Sequence, residues 1–99
     1  MKLLWIEKMQ GVIEAKVPFV VHDLAGYYEV TISRRPHYCD RGDWMIYVDA
    51  CGRAAAMSGF DGSDGFPRYF FGTEEEAKAQ METWADRRAN VVKEPVMTL

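Results

Sequence analysis

Two stretches decide the fold: Tyr27-Tyr28-Glu29-Val30-Thr31-Ile32-Ser33 and Trp44-Met45-Ile46-Tyr47-Val48-Asp49-Ala50. Both are rich in aromatic and β-branched residues, which suit a pleated, half-buried surface. Between them lies the polar segment Pro36-His37-Tyr38-Cys39-Asp40-Arg41-Gly42-Asp43. Its glycine and acidic residues are turn formers, so the two stretches read as an antiparallel hairpin with Asp40 to Asp43 at the turn. In the first arm Tyr28, Val30 and Ile32 share one face, against Tyr27, Glu29, Thr31 and Ser33 on the other. In the second arm Trp44, Ile46, Val48 and Ala50 oppose Met45, Tyr47, Asp49 and Cys51. Such alternation predicts a sheet packed on one side and wetted on the other.

Working outward, Gly59 to Pro67 contains two Asp-Gly pairs and a proline, which mark a loop. Arg68-Tyr69-Phe70-Phe71 then reads as a third strand, and Ala54 to Met57 as a short turn or a brief extra strand. A helix follows. Thr73 is a good N-cap with Glu76 three residues on, the spacing of a capping box. Glu74 and Glu75 in the first turn, and Arg87 and Arg88 in an expected last turn, both complement the helix dipole. Ala77, Met81, Trp84 and Ala85 form an apolar stripe that would lie on the sheet. Burying Met81 and Trp84 is worth about 1.5–3 kcal/mol each. Asn90 reads as the residue just past the helix, and 91–99 as a tail. Upstream, residues 1–26 are compatible with a short helix or a strand before Gly11, because short apolar runs carry no decisive period. Asp23 to Gly26 resembles the turn into the hairpin. The expected class is therefore α+β: a three-stranded antiparallel sheet, a C-terminal helix on one face, and an N-terminal helix or strand.

A chain of 99 residues forms one domain, here a sheet-plus-helix core over 27–89 with flanking elements. Net charge is −3, spread as 0 over residues 1–26, −1 over 27–72 and −2 over 73–99. No segment has the basic excess that phosphate binding leaves behind, which argues against general nucleic-acid affinity. The start has four apolar residues before Glu7, too few for a secretory signal core, and nothing approaches a membrane span. A cytoplasmic protein with free thiols is expected.

Several residues could carry chemistry. His22, His37, Cys39 and Cys51 are metal-ligand types. With the turn at Asp40 to Asp43, Cys39 would stand opposite Trp44, leaving Cys51 about seven positions, or ~23 Å, along the ladder. That separation is too large for shared coordination or for a disulfide, so no metal and no cofactor are expected. His37 and Cys39 are close enough for a base and a nucleophile, yet no oxyanion donor accompanies them, and no enzyme is inferred. Asp61 to Gly65 lacks the ligand order and closing glutamate of a calcium loop. The basic and aromatic cluster Arg34, Arg35, His37, Tyr38 and Arg41 suits phosphate, base or carboxylate recognition, or else pairs internally with Asp40, Asp43 or Asp49. Tyr27, Met45 and Tyr47 on the open face are of types enriched at the centres of protein interfaces, unless residues 1–26 cover that face.

The element order is similar to the double-stranded-RNA-binding domain, but the turn that carries bases there is Thr73-Glu74-Glu75-Glu76 here, acidic and repelling phosphate. More specifically, Tyr28 to Gly42 (YEVTISRRPHYCDRG) and Asp64 to Phe71 (DGFPRYFF), followed by Glu75-Glu76-Ala77-Lys78, resemble a family of small uncharacterised phage and mobile-element proteins of proteobacteria. The resemblance covers about Tyr27 to Arg88. It implies a non-enzymatic protein-binding inhibitor or accessory factor, with an anti-CRISPR-like blocker of a host nucleic-acid-handling effector as one form. The expected docking residues are Arg34, Arg35, His37, Tyr38, Arg41, Tyr27, Met45 and Tyr47, with Glu74 and Glu75 adding complementarity to a basic partner. The alternative is a single-stranded nucleic-acid module that stacks bases on Tyr38 and Tyr47 beside Arg34.

Overall fold

The computed structural model describes residues 2–34, 42–57 and 65–93, the last five as helical backbone alone. Five strands form one antiparallel sheet: β1 (Ile6–Met9), β2 (Val12–Val21), β3 (Leu24–Arg34), β4 (Trp44–Gly52) and β5 (Tyr69–Phe70). Their spatial order is their chain order. A 3-10 turn (Ala55–Met57) follows β4, and the helix α1 (Glu74–Lys93) closes the chain's described part. The class is α+β, but the sheet has five strands where three were expected. The first 26 residues supply the difference. They form a hairpin that widens the sheet from its edge, and they neither contain a helix among the described residues nor cover the open face.

The β2–β3 turn explains why this hairpin is hard to read. Val21 pairs with Leu24 across His22 and Asp23, which have φ of 49° and 68°. A two-residue turn with both central residues left-handed matches the twist of its strands. It is more often written Asn-Gly, but His and Asp also tolerate this region. The turn thus centres on His22 and Asp23, sharing only Asp23 with the expected Asp23 to Gly26, because Leu24 to Gly26 already belong to β3. Gly26 serves a different need: a Cβ there would stand 2.8 Å from the Phe19 ring and 2.9 Å from the Cys51 carbonyl.

That turn sets the register of everything beyond it. Ile13, Ile32 and Ile46 stand side by side across β2, β3 and β4, as do Ala15, Val30 and Val48. All six are buried under α1 together with Val17, Phe19, Tyr28 and Trp44. The expected helix stripe of Ala77, Met81, Trp84 and Ala85 is buried against them. Tyr28 sits at the centre of this layer. Its ring stacks on Phe19 at 4.5 Å and meets the edge of Trp84 at 5.4 Å. Its hydroxyl accepts from Arg88 Nε at 3.0 Å.

Arg88 is therefore a buried core residue, and α1 continues past the expected stop at Asn90 to Lys93. The capping box is present: Thr73 N–H donates to Glu76 Oε1 at 2.8 Å, and Glu76 N–H to Thr73 Oγ1 at 3.1 Å. The helix start is lashed to β4, since Trp44 Nε1–H donates to the Gly72 carbonyl and Gly72 N–H to Asp43 Oδ2.

The hairpin of β3 and β4 exists, with Arg34 opposite Trp44. The tight turn at Asp40 to Asp43 does not follow, because this register leaves residues 35–43 as the connection and removes Cys39 from the position opposite Trp44. Residues 35–41 lie outside the described residues. Asp43 N–H bonds to the Phe70 carbonyl instead of closing a turn.

The N-terminal segment is held by one carboxylate. Leu3 N–H and the Trp5 indole donate to Glu82 Oε2 at 3.0 and 3.1 Å. Burial alone would push this carboxyl up, but the two hydrogen bonds, with the charge of Lys2, outweigh it and hold the group below its ordinary value. Its stabilising contribution is then complete above the ordinary carboxylate range and disappears as pH falls through the lowered native value. Glu82→Ala is expected to cost about 1.5–3 kcal/mol at pH 7, the range for hydrogen bonds to a charged group. Urea unfolding should show that cost, and should show it shrinking in acid. Gly26→Ala is expected to cost about 1–3 kcal/mol through overpacking against Phe19 and the Cys51 carbonyl, read the same way.

Candidate functional site

One sheet face carries the helix and the other is bare. On the bare face the strands bring together Glu14, Thr31 and Tyr47 in one row, and Lys16, Glu29 and Asp49 in the next. Pro18, Tyr27 and Cys51 form a third, and Val12, Ser33, Met45 and Tyr69 a fourth. Tyr27, Met45 and Tyr47 therefore share this face, as their alternation requires. Tyr47 is 57% exposed, while Tyr27 and Met45 are half-buried. Lys16 Nζ stands 5.1 Å over the Tyr27 ring. The Cys51 thiol opposite, with a small desolvation effect and the carboxylates of Glu29 and Glu14, pushes the Tyr27 hydroxyl's pKa up. Tyr27 is thus neutral at physiological pH, and it presents a ring and a hydroxyl.

Of the remaining expected residues, the three that are described, Arg34, Glu74 and Glu75, do not gather here. Arg34 lies on the opposite, helix-bearing side, its guanidinium 4.7 Å over the buried Trp44 ring. The reason is parity: Arg34 has the same pleat direction as Ile32 and Tyr28. Glu74 and Glu75 are on α1, and Lys78 Nζ reaches Glu74 at 2.9 Å and Glu75 at 3.6 Å. The Glu74 hydrogen bond raises the Lys78 pKa against a smaller opposing effect of burial. Arg35, His37, Tyr38 and Arg41 fall outside the described residues. So do Cys39 and the loop from Ser58 to Asp64.

What sequence reasoning missed is the apolar content that β1 and β2 add to the bare face. Ile6 pairs with Glu14 and Met9 with Val12, so both lie on it. Val20 shares the pleat direction of Lys16 and Pro18. Leu4 joins Ile6 along a gap of about 260 Å³ beside β2. Leu4, Ile6, Met9, Val20 and Tyr47 are 77%, 55%, 65%, 60% and 57% exposed. The other large hydrophobic residues exposed among those described are Met57 and Phe71. The signal was present in Val12 to Val21: once its odd positions are given to the core, the even ones fall on the bare face.

The bare face also holds Glu14, Glu29 and Asp49 against Lys8 and Lys16, with Lys8 Nζ 3.6 Å from Glu14 Oε1. Among the described residues no three His, Cys, Asp or Glu side chains are placed to hold a metal ion. Among the described residues no helix is long and apolar enough to cross a membrane. Compared with protein-family models, curated proteins and solved structures, the chain matches none.

Tyr47 and Arg34 can be told apart by stability. Arg34→Ala removes a cation from a Trp face and is expected to cost about 0.5–1 kcal/mol. Tyr47→Ala touches no core contact and should stay within about 0.5 kcal/mol of wild type. Thermal unfolding of the two variants checks this.

Proposed function

We propose that this chain is a non-enzymatic protein-binding factor that docks through the bare face of its sheet. The observation that carries the reading is the concentration of Leu4, Ile6, Met9, Val20 and Tyr47 on the one face that α1 leaves open. Exposed apolar side chains scattered singly need no explanation, whereas their gathering on one surface marks an interaction site. Tyr27 and Tyr47 add aromatic area with polar tips, the type of residue that dominates binding energy at interfaces. The mixed charges between them set orientation and exclude wrong partners more than they add affinity.

The kind of factor comes from the resemblance of Tyr28 to Gly42 and Asp64 to Phe71 to small phage and mobile-element proteins. On that basis it is an inhibitor or accessory protein of the cytoplasm, and a host nucleic-acid-handling effector, blocked in the anti-CRISPR manner, is its partner. Glu74 and Glu75 point away from the bare face and have no part in this docking. The stacking alternative loses support from the same geometry, since Arg34 and Tyr47 stand on opposite sides of the sheet.

The test is a partner captured from a proteobacterial host lysate, purified, and titrated by calorimetry against variants. Tyr47→Ala should weaken binding about tenfold or more, as for an interface anchor, while Glu75→Ala should change it less than about twofold. Wild-type affinity in Tyr47→Ala, or loss confined to Glu75→Ala, would move the interface off the bare face.

A further inference from the structure

The rows of the bare face change character between β2 and β3. Ile6 and Glu14 on one side are followed by Thr31 and Tyr47 on the other. Met9 and Val12 are followed by Ser33 and Met45 in the same way. Lys16 is followed by Glu29 and Asp49, and Pro18 by Tyr27. Lys16 Nζ leans over the Tyr27 ring, so its ammonium lies toward β3, in the middle of the face. Glu82 holds Leu3 and Trp5 on the helix side, and burial alternates along that segment, which sends Leu4 to the bare side.

A face that packs on its own copy does so about a two-fold axis lying in the interface. With that axis along the strands and between β2 and β3, β2 of one copy lies on β3 of the other, and β1 on β4. Ile6 then meets the copy's Tyr47, Met9 meets Met45, and Pro18 meets the Tyr27 ring. Lys16 meets the copy's Glu29. Because Lys16 also stands beside Glu29 within each chain, the four charges alternate in sign around a square. Asp49 falls beyond the copy's short β1, at the wet rim.

The other axes along the strands set like on like, or apolar on charged. One on β2 lays Lys16 on Lys16, and one on β3 lays Glu29 on Glu29. One between β3 and β4 lays Glu29 on Asp49, and one between β1 and β2 lays Ile6 on Glu14. An axis across the strands keeps each strand on itself, so Lys16 meets only Glu14, which Lys8 already neutralises at 3.6 Å. Glu29 and Asp49 would then face no cation. Stacked sheets also keep their strands within ~30° of each other, which an axis along the strands satisfies. The size fits as well. Ten residues of β2 and four strands ~4.8 Å apart give roughly 600 Å² in projection, and more as accessible surface, against ~800 Å² per partner in a standard interface.

We propose that the bare face joins two copies of this chain, sheet on sheet, about a two-fold axis along the strands between β2 and β3. This goes beyond the docking reading, since it needs no other molecule. It uses the same residues, so a docked partner takes the place of the second copy and each excludes the other.

The test is sedimentation equilibrium of the full chain alone, with circular dichroism to confirm that each variant folds. Wild type should reach the mass of a dimer, half associated near about 10 µM. Lys16→Glu and Glu29→Lys should each weaken association about tenfold or more, because each sets like charges face to face twice per dimer. Mixed in equal amounts, the two variants should associate as well as wild type, since every altered charge then faces its opposite on the other chain. Glu75→Ala, on α1, should change nothing. Wild type still monomeric at about 200 µM, a dimer indifferent to either reversal, or a mixture that stays monomeric would each overturn the proposal. If a reversal unfolds the chain, Ile6→Glu decides instead: Ile6 is 55% exposed, and unchanged association in that variant would overturn the proposal. A monomeric wild type leaves the Tyr47→Ala result with the captured partner standing. A dimer whose captured partner ignores Tyr47→Ala defeats the docking reading alone.

Discussion

The pleat parity of β2, β3 and β4 is the constraint on which the rest depends, and the two-residue turn at His22 and Asp23 sets it. A slip of one residue would exchange every buried side chain for its exposed neighbour. In the observed register Val17 and Tyr28 are neighbours across the β2–β3 pair, and Lys16 and Glu29 are neighbours on the other face. The slipped register would put charges under α1 and leave Tyr28 without Trp84 and Arg88. Because that layer also contains Ile13, Val30, Ile32, Ile46 and Val48, the penalty far exceeds the modest cost of two left-handed residues at the turn.

The same constraint decides which surfaces are available to a partner. Sheet edges invite pairing, and this sheet blunts both of its own. β5 is two residues long. β1 is four residues long, has Lys8 exposed on it, and carries a register shift between Glu7 and Met9. The stretch of β2 that β1 leaves unpaired contains Pro18. With the edges short, bulged or lacking a donor, and one face under the helix, the bare face is the large sheet surface left open among the described residues. Glu82 contributes at a distance, since its grip on Leu3 and Trp5 from the helix side is what turns Leu4 outward on the other.

The β3–β4 hairpin, the helix with its capping box, and the buried stripe of Ala77, Met81, Trp84 and Ala85 were legible because long, strongly patterned segments leave little choice of partner. The β1–β2 hairpin was not. Val12 to Val21 alternates cleanly only once Ala15 counts as core and Pro18 as tolerable, and Pro18 is tolerable only at an unpaired edge, which is a tertiary fact. The turn lacked glycine, so Gly26 drew attention that belonged to His22 and Asp23. Arg87 and Arg88 suggested a helix end by their charge. Yet Arg88 is spent on Tyr28, a contact 60 residues away in sequence that no local rule contains.

For the candidate site the division is similar. Tyr27, Met45 and Tyr47 were placed together by alternation alone, since period 2 needs no knowledge of neighbours. Arg34 was grouped with the polar connection that follows it, whereas the pleat assigns it to Trp44. Charge proved a poor guide to location here. Arg34 and Arg88 pack on aromatic rings, Glu74 and Glu75 on Lys78, and Glu82 on the N-terminal segment, so each of these conspicuous ions has a structural neighbour. The exposed apolar residues Leu4, Ile6 and Val20 have no comparable internal role. In a chain this small, side chains that add nothing to the core and weaken solubility need another reason to be gathered on one face, and the docking proposed for that face would supply it.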